Sequence, residues 1–288
     1  MNDDGSRDGH VMALAGGALH RIAYREWGER DNPRVVVCAH ALTRNGRDFG
    51  PLARALGDRW RVIAPDMPGR GASDRLADPM LYQVPTYVAD AVTLLARLDV
   101  EQVDWVGISL GALMGMVLAA MDRTPIRRFV ISDAGPVLAR AALERIAGYV
   151  GVTTVFASYE AAHTAIRTIS EPFGPHSDAE WDFLVDNVLV PRGDGTWTLH
   201  YDPAIGVPFR AALAVPGDVN LWSTWDAIRV PTLVLRGERS DLLPADVAAQ
   251  MTGRGPRAQL VTLQGVGHAP TLVPAAQIEI VRAFLERD

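Results

Sequence analysis

Short β-branched runs alternate with helical stretches along most of this chain, and that alternation narrows the folds open to it. Strands are expected at His10–Ala15, Ala18–Trp27, Val35–Ala39, Trp60–Ala64, Val103–Ile108, Arg128–Ser132, Thr232–Arg236 and Gln259–Leu263. Helices are expected at Arg47–Leu56, Val84–Leu98, Leu110–Met121, Ala245–Met251 and Ala275–Glu286. In Val84–Leu98 the apolar residues Val88, Ala91, Leu94, Leu95 and Leu98 recur at helical spacing. Val35–Ala39 is apolar without a break, as befits a strand buried on both faces. Strands alternating with helices imply an α/β fold: a mostly parallel sheet with helices on both faces. The Gly16-Gly17 pair joins the first two strands as a hairpin.

The alternation stops between residues 138 and 221, where the pattern becomes helical and rich in Pro and Gly. Helical segments are expected there at Ala141–Tyr149, Tyr159–Ile169 and Ala179–Val188. The expected organisation is therefore a core made of residues 1–137 and 222–288, interrupted by a helical cap over 138–221. An insertion between the strands of one sheet is placed to cover a site at the strand ends.

Composition removes several classes. All 28 basic residues are arginine, so a lysine nucleophile or Schiff base is excluded. The net charge of −6 argues against nucleic acid and against an anionic membrane surface. The single cysteine, Cys38, cannot form an intrachain disulfide and lies in an apolar strand, where it reads as a small buried hydrophobe. The polar N-terminus lacks the pattern of a signal peptide, and no apolar run spans a bilayer, so a cytoplasmic location is expected. No metal-ligand spacing and no dinucleotide fingerprint is visible, so no metal and no cofactor are expected.

The chemistry concentrates in two Gly-flanked turns. Gly107-Ile108-Ser109-Leu110-Gly111 matches G-x-S-x-G at a strand-to-helix junction. A serine on such a turn stands above the sheet, beside the N–H groups of a helix start that favour an anion. A serine hydroxyl is a weak nucleophile and needs an adjacent base. His268, in Gln264-Gly265-Val266-Gly267-His268, follows the last strand on a short flexible loop and is the expected base. His10, His20, His163, His176 and His200 have no comparable setting. Imidazole in turn needs a carboxylate to fix its tautomer. Asp241, after Thr232–Arg236, is the expected acid, with Glu238 nearby and Asp133 after Arg128–Ser132 as rivals.

With these residues the chain resembles the cap-bearing branch of the α/β-hydrolase superfamily over Val11–Leu285. The resemblance implies an eight-stranded sheet and the chain order Ser109, Asp241, His268. It also implies an oxyanion hole made by the backbone N–H groups of Leu110 and Leu42, since His40-Ala41-Leu42 is similar to the family's His-Gly-x motif. Ala41 stands where the family has glycine, which strains the loop if a positive φ is required. His40 reads as structural, as does the loop Asp66–Asp74. Arg44 either binds a substrate carboxylate or pairs with Asp48 or Asp66.

Serine at the elbow points to acyl chemistry. The expected activity is hydrolysis of a small to medium apolar carboxylic ester through an acyl-enzyme. Lactone, C–C bond and amide hydrolysis and perhydrolysis use the same groups, while an acyltransferase and a receptor without turnover are alternatives of other kinds. The expected partner is a small-molecule ester or lactone, and homodimer formation stays open. Aromatic residues of the insertion, among them Trp181 and Phe209, are candidate substrate contacts.

Overall fold

The computed structural model describes residue 2 and residues 4–287. The first half runs β1 (Arg7–Ala15), β2 (Ala18–Trp27), β3 (Val35–Ala39), α1 (Gly50–Leu56), β4 (Arg61–Pro65), α2 (Val84–Leu98), β5 (Val103–Ile108), α3 (Leu110–Ala119) and β6 (Ile126–Ser132). The interrupting segment holds β7 (Val137–Leu138), α4 (Arg140–Ala147), β8 (Val155–Phe156), α5 (Tyr159–Ile169), α6 (Asp178–Asp186), β9 (Leu189–Pro191), β10 (Trp197–Leu199), α7 (Gly206–Ala212) and β11 (Val219–Asn220). The chain closes with α8 (Trp222–Ala227), β12 (Thr232–Gly237), α9 (Ala245–Met251), β13 (Gln259–Leu263) and α10 (Ala275–Leu285).

Eight strands form one sheet in the order β1-β2-β4-β3-β5-β6-β12-β13. The β1–β2 and β2–β4 pairs are antiparallel, and every pair from β4 to β13 is parallel. The parallel strands β3, β4, β5 and β12 are buried at every position, which is why their sequences are apolar runs rather than alternations. Their side chains divide between two cores. Val37, Trp105, Ile131 and Val234 meet Leu94 of α2 and Met116 of α3 on one face. Val36, Val106, Val130 and Leu235 meet Leu52 of α1 and Phe284 of α10 on the other. Cys38 is fully buried in the second core, and burial raises its thiol pKa far above the ordinary range, so it is a packing residue.

The sheet and its helices follow the expected pattern, but the interrupting segment is less purely helical than its sequence suggests. β8, β10 and β9 form a small antiparallel sheet, and β7 pairs with β11 at the segment's base. Strands this short carry no periodicity to read. None of the described helices is long and apolar enough to cross a membrane.

Candidate active site

The turn at Ser109 is strained in the way its glycines anticipate. Ser109 has φ 51° and ψ −109° between the end of β5 and the start of α3. A Cβ on Gly107 would lie 2.3 Å from the Gly111 carbonyl oxygen, and one on Gly111 would lie 2.0 Å from that of Ala39. Side chains at either place would push α3 off the sheet, so both positions require glycine for a close backbone approach. The Ser109 N–H donates to Ser132 O at 2.9 Å, locking the turn to β6.

Ser109 Oγ lies 2.9 Å from His268 Nε2. His268 Nδ1 lies 2.8 Å from Asp133 Oδ2. Asp133 is fully buried directly after β6, with φ 56°. Its carboxylate also accepts hydrogen bonds from the Gly237 N–H at 3.0 Å and from Ser240 Oγ at 2.6 Å. A buried carboxylate with this many donors is held in one orientation and needs no further cation. Acceptance at Oδ2 fixes the neutral imidazole with its proton on Nδ1, leaving Nε2 free to take one from Ser109.

The geometry departs from the acid expected from sequence. Asp241 does not bond to His268; its two oxygens accept from Arg145 Nε and Nη2 at 2.6 and 2.8 Å. Partial burial pushes the Asp241 carboxyl up, but the Arg145 hydrogen bonds and charge outweigh it and hold it below the usual carboxylate range. The pair is half exposed and clips α4 of the insertion to the loop after β12. Glu238 does not meet His268 either; it accepts from the Gly265 N–H at 2.9 Å and so tethers the histidine loop. Ser240 gave no signal in the sequence beyond being a polar residue in a loop, yet it bonds Asp133 directly.

Among the described residues the N–H groups of Leu42 and Leu110 have no hydrogen-bond partner, the latter because it opens α3. Two buried residues hold the Leu42 loop. Arg70 donates to Leu42 O at 2.9 Å, to Pro68 O at 2.7 Å and to Tyr87 Oη at 2.9 Å. His40 donates from Nδ1 to Ala41 O at 2.7 Å and accepts the Met67 N–H on Nε2 at 3.0 Å. Ala41 has no positive φ, so the missing glycine costs the loop nothing.

Burial pushes the pKa of His40 down to about 3 and that of His200, which accepts the Gly71 N–H, down to about 4. Both are neutral in the folded state near neutral pH, whereas in the unfolded chain they titrate near 6.5. Below that value the unfolded chain binds more protons, so stability is full above it and is lost as pH falls toward the folded values. The denaturant midpoint is expected to fall between about pH 7.5 and 5. A midpoint that does not move over that interval would contradict this burial.

A cavity of 620 Å³ opens against His268, lined by Thr43 and Arg44 from the core and by Tyr149, Ile166, Phe173, Val188, Leu199 and Tyr201 from the insertion. Trp181 and Phe209 are not in its wall, contrary to expectation. Trp181 is buried with Leu184 and Val273 and packs on the His176 ring at 4.8 Å, and Phe209 packs against the main core. Val273 and the main core lie outside the insertion, so these rings fasten the insertion to the core. Arg44 does reach the cavity, but it is bonded to Asp48 at 2.5 and 2.7 Å and to Leu184 O at 2.8 Å. Asn187 completes this buried knot by donating to Asp48 at 2.9 Å, while Asn45 donates to Asn187 O at 2.6 Å. The knot pins the insertion onto the loop after β3.

The model of the α/β hydrolase fold family matches residues 34–274. The chain belongs to the α/β-hydrolase family and is an enzyme of that family. It is similar to a 3-hydroxybutyrate-oligomer hydrolase of Cupriavidus necator, with 47% identity over 284 residues, 96% of this chain and 97% of the relative. Among solved structures it resembles an α/β hydrolase from Novosphingobium aromaticivorans, at TM-score 0.88 and 38% identity over 99% of both chains. An enol-lactonase from Burkholderia xenovorans shares the fold at TM-score 0.72 and 19% identity, covering 96% of this chain and all of that one.

Proposed function

We propose that this chain is a serine esterase that cleaves short oligoesters of a 3-hydroxy acid. The observation that carries the reading is the unbroken line from Ser109 Oγ through His268 to buried Asp133, with His268 in the wall of a cavity beneath the insertion. In this reading His268 Nε2 takes the Ser109 proton as Oγ attacks the ester carbonyl. The Leu42 and Leu110 N–H groups hold the developing oxyanion, since preorganised donors act where charge appears. His268 then protonates the departing alcohol, leaving an acyl-Ser109. Water, deprotonated by His268, attacks that acyl group and releases the acid.

Asp133 stabilises the imidazolium in both steps without itself being protonated. Residues 138–221 act as the cap that shields the acyl-enzyme. Similarity to the Cupriavidus necator relative supports the oligoester, and a 620 Å³ cavity is of the size that takes one small molecule rather than a polymer surface.

The test is a panel containing 3-hydroxybutyrate dimer and trimer, p-nitrophenyl acetate and a simple lactone. The dimer and trimer are expected to release monomer with the highest kcat/KM of the panel. Turnover of the lactone or the p-nitrophenyl ester with intact oligomers would reject the substrate, though not the serine chemistry.

A further inference from the structure

The proposed substrate carries one fixed charge, the free carboxylate at the end of the oligomer, and the cavity wall carries several. Arg44 is matched by Asp48, and Arg145 is matched by Asp241. Arg239 also lines the cavity, is exposed, and has no ion pair among the described residues. Its backbone is fixed beside the reacting groups: its N–H donates to Val266 O at 2.8 Å, within the histidine loop, and the next residue, Ser240, bonds Asp133. Glu171 lines the same cavity from the insertion and likewise makes no ion pair among the described residues, so it does not neutralise Arg239.

We propose that Arg239 captures the terminal carboxylate of the oligoester. The inference rests on the function proposed above and adds the end from which the substrate is read. A guanidinium fork offers two parallel N–H bonds to a carboxylate, and no neutral ester end can replace that match. In a 3-hydroxyacyl oligoester the carboxylate belongs to the alcohol portion of the terminal ester bond. Holding it beside the histidine loop sets that bond over Ser109. Units then leave one at a time from the carboxyl end, and chains lacking a free end are poor substrates.

The experiment compares kcat/KM for 3-hydroxybutyrate trimer as the free acid with that for its carboxyl methyl ester, using the full chain and the variants Arg239→Gln and Arg145→Gln. The native protein is expected to favour the acid by about 10- to 100-fold, the range of one charged hydrogen-bonded contact. In Arg239→Gln that ratio is expected to collapse toward unity, mainly through KM. No preference in the native protein would overturn the inference, and that measurement stands even if a variant fails to fold. A ratio that survives in Arg239→Gln, or one that collapses in Arg145→Gln alone, would overturn it as well. If the native protein cleaves p-nitrophenyl acetate but neither form of the trimer, the oligoester reading fails and this inference fails with it. Cleavage of both forms at equal rates removes only the carboxylate anchor.

Discussion

Asp133→Asn is expected to lower kcat by about 10⁴-fold, whereas Asp241→Asn leaves it within about fivefold. The asymmetry follows from what each carboxylate touches. Asp133 is fully buried and bonds His268 Nδ1 at 2.8 Å. An amide there can present an N–H to the ring and select the wrong tautomer, leaving a proton on Nε2 where a base is needed. The Gly237 and Ser240 donors keep the replaced side chain in place, so the loss is one of chemistry and not of fold. Asp241 is half exposed and, among the described side chains, bonds Arg145 alone. Removing its charge weakens a surface ion pair contributing at most about 1 kcal/mol to docking of α4. Steady-state kinetics on any turned-over ester decides between them, with thermal unfolding as the folding control. A mild Asp133→Asn and a crippled Asp241→Asn would mean that the loops rearrange when substrate binds.

Ser109→Ala is expected to have the largest effect, about 10⁶-fold on kcat, with no loss of folded protein. The Ser109 hydroxyl bonds only His268 among the described residues, and the turn is held by backbone bonds and by the glycines at 107 and 111. Alanine keeps Cβ, and so the contacts that Cβ makes, while removing the only atom able to attack. Residual activity should come from the oxyanion donors and binding alone. The same variant should still bind the oligoester, since neither the cavity wall nor Arg239 changes.

Much of the sheet was legible because buried parallel strands announce themselves as apolar runs. Val103–Ile108 and Val35–Ala39 stand where such runs put them, and α2, α5 and α9 stand where helices are expected. The short strands β7 to β11 were not legible, because pairs and triplets of residues show no alternation. The turns that carry Ser109 and His268 stood out in the sequence for a different reason: glycines that the backbone requires mark both.

The acid was ambiguous for a topological reason. β6 and β12 are parallel neighbours, with Ser132 opposite Leu235, so the loops after them emerge side by side at one edge. A carboxylate from either loop starts near the imidazole. In the structure Ser240 turns toward Asp133, and Arg145 draws Asp241 outward. Arg145 reaches there from the inserted segment, and no local pattern reports that contact. Arg44 likewise offered two roles, and in the structure it is hydrogen-bonded to Asp48 and Leu184 O.

The most direct test of the serine chemistry is covalent trapping. The protein is treated with a fluorophosphonate, digested, and the modified peptide sequenced by mass spectrometry. A single phosphonyl group on Ser109, with activity lost in proportion and no labelling of the Asp133→Asn protein on the same timescale, is the predicted result. Full esterase activity retained without a label at Ser109, or inactivation tracking a label on another residue, would contradict it.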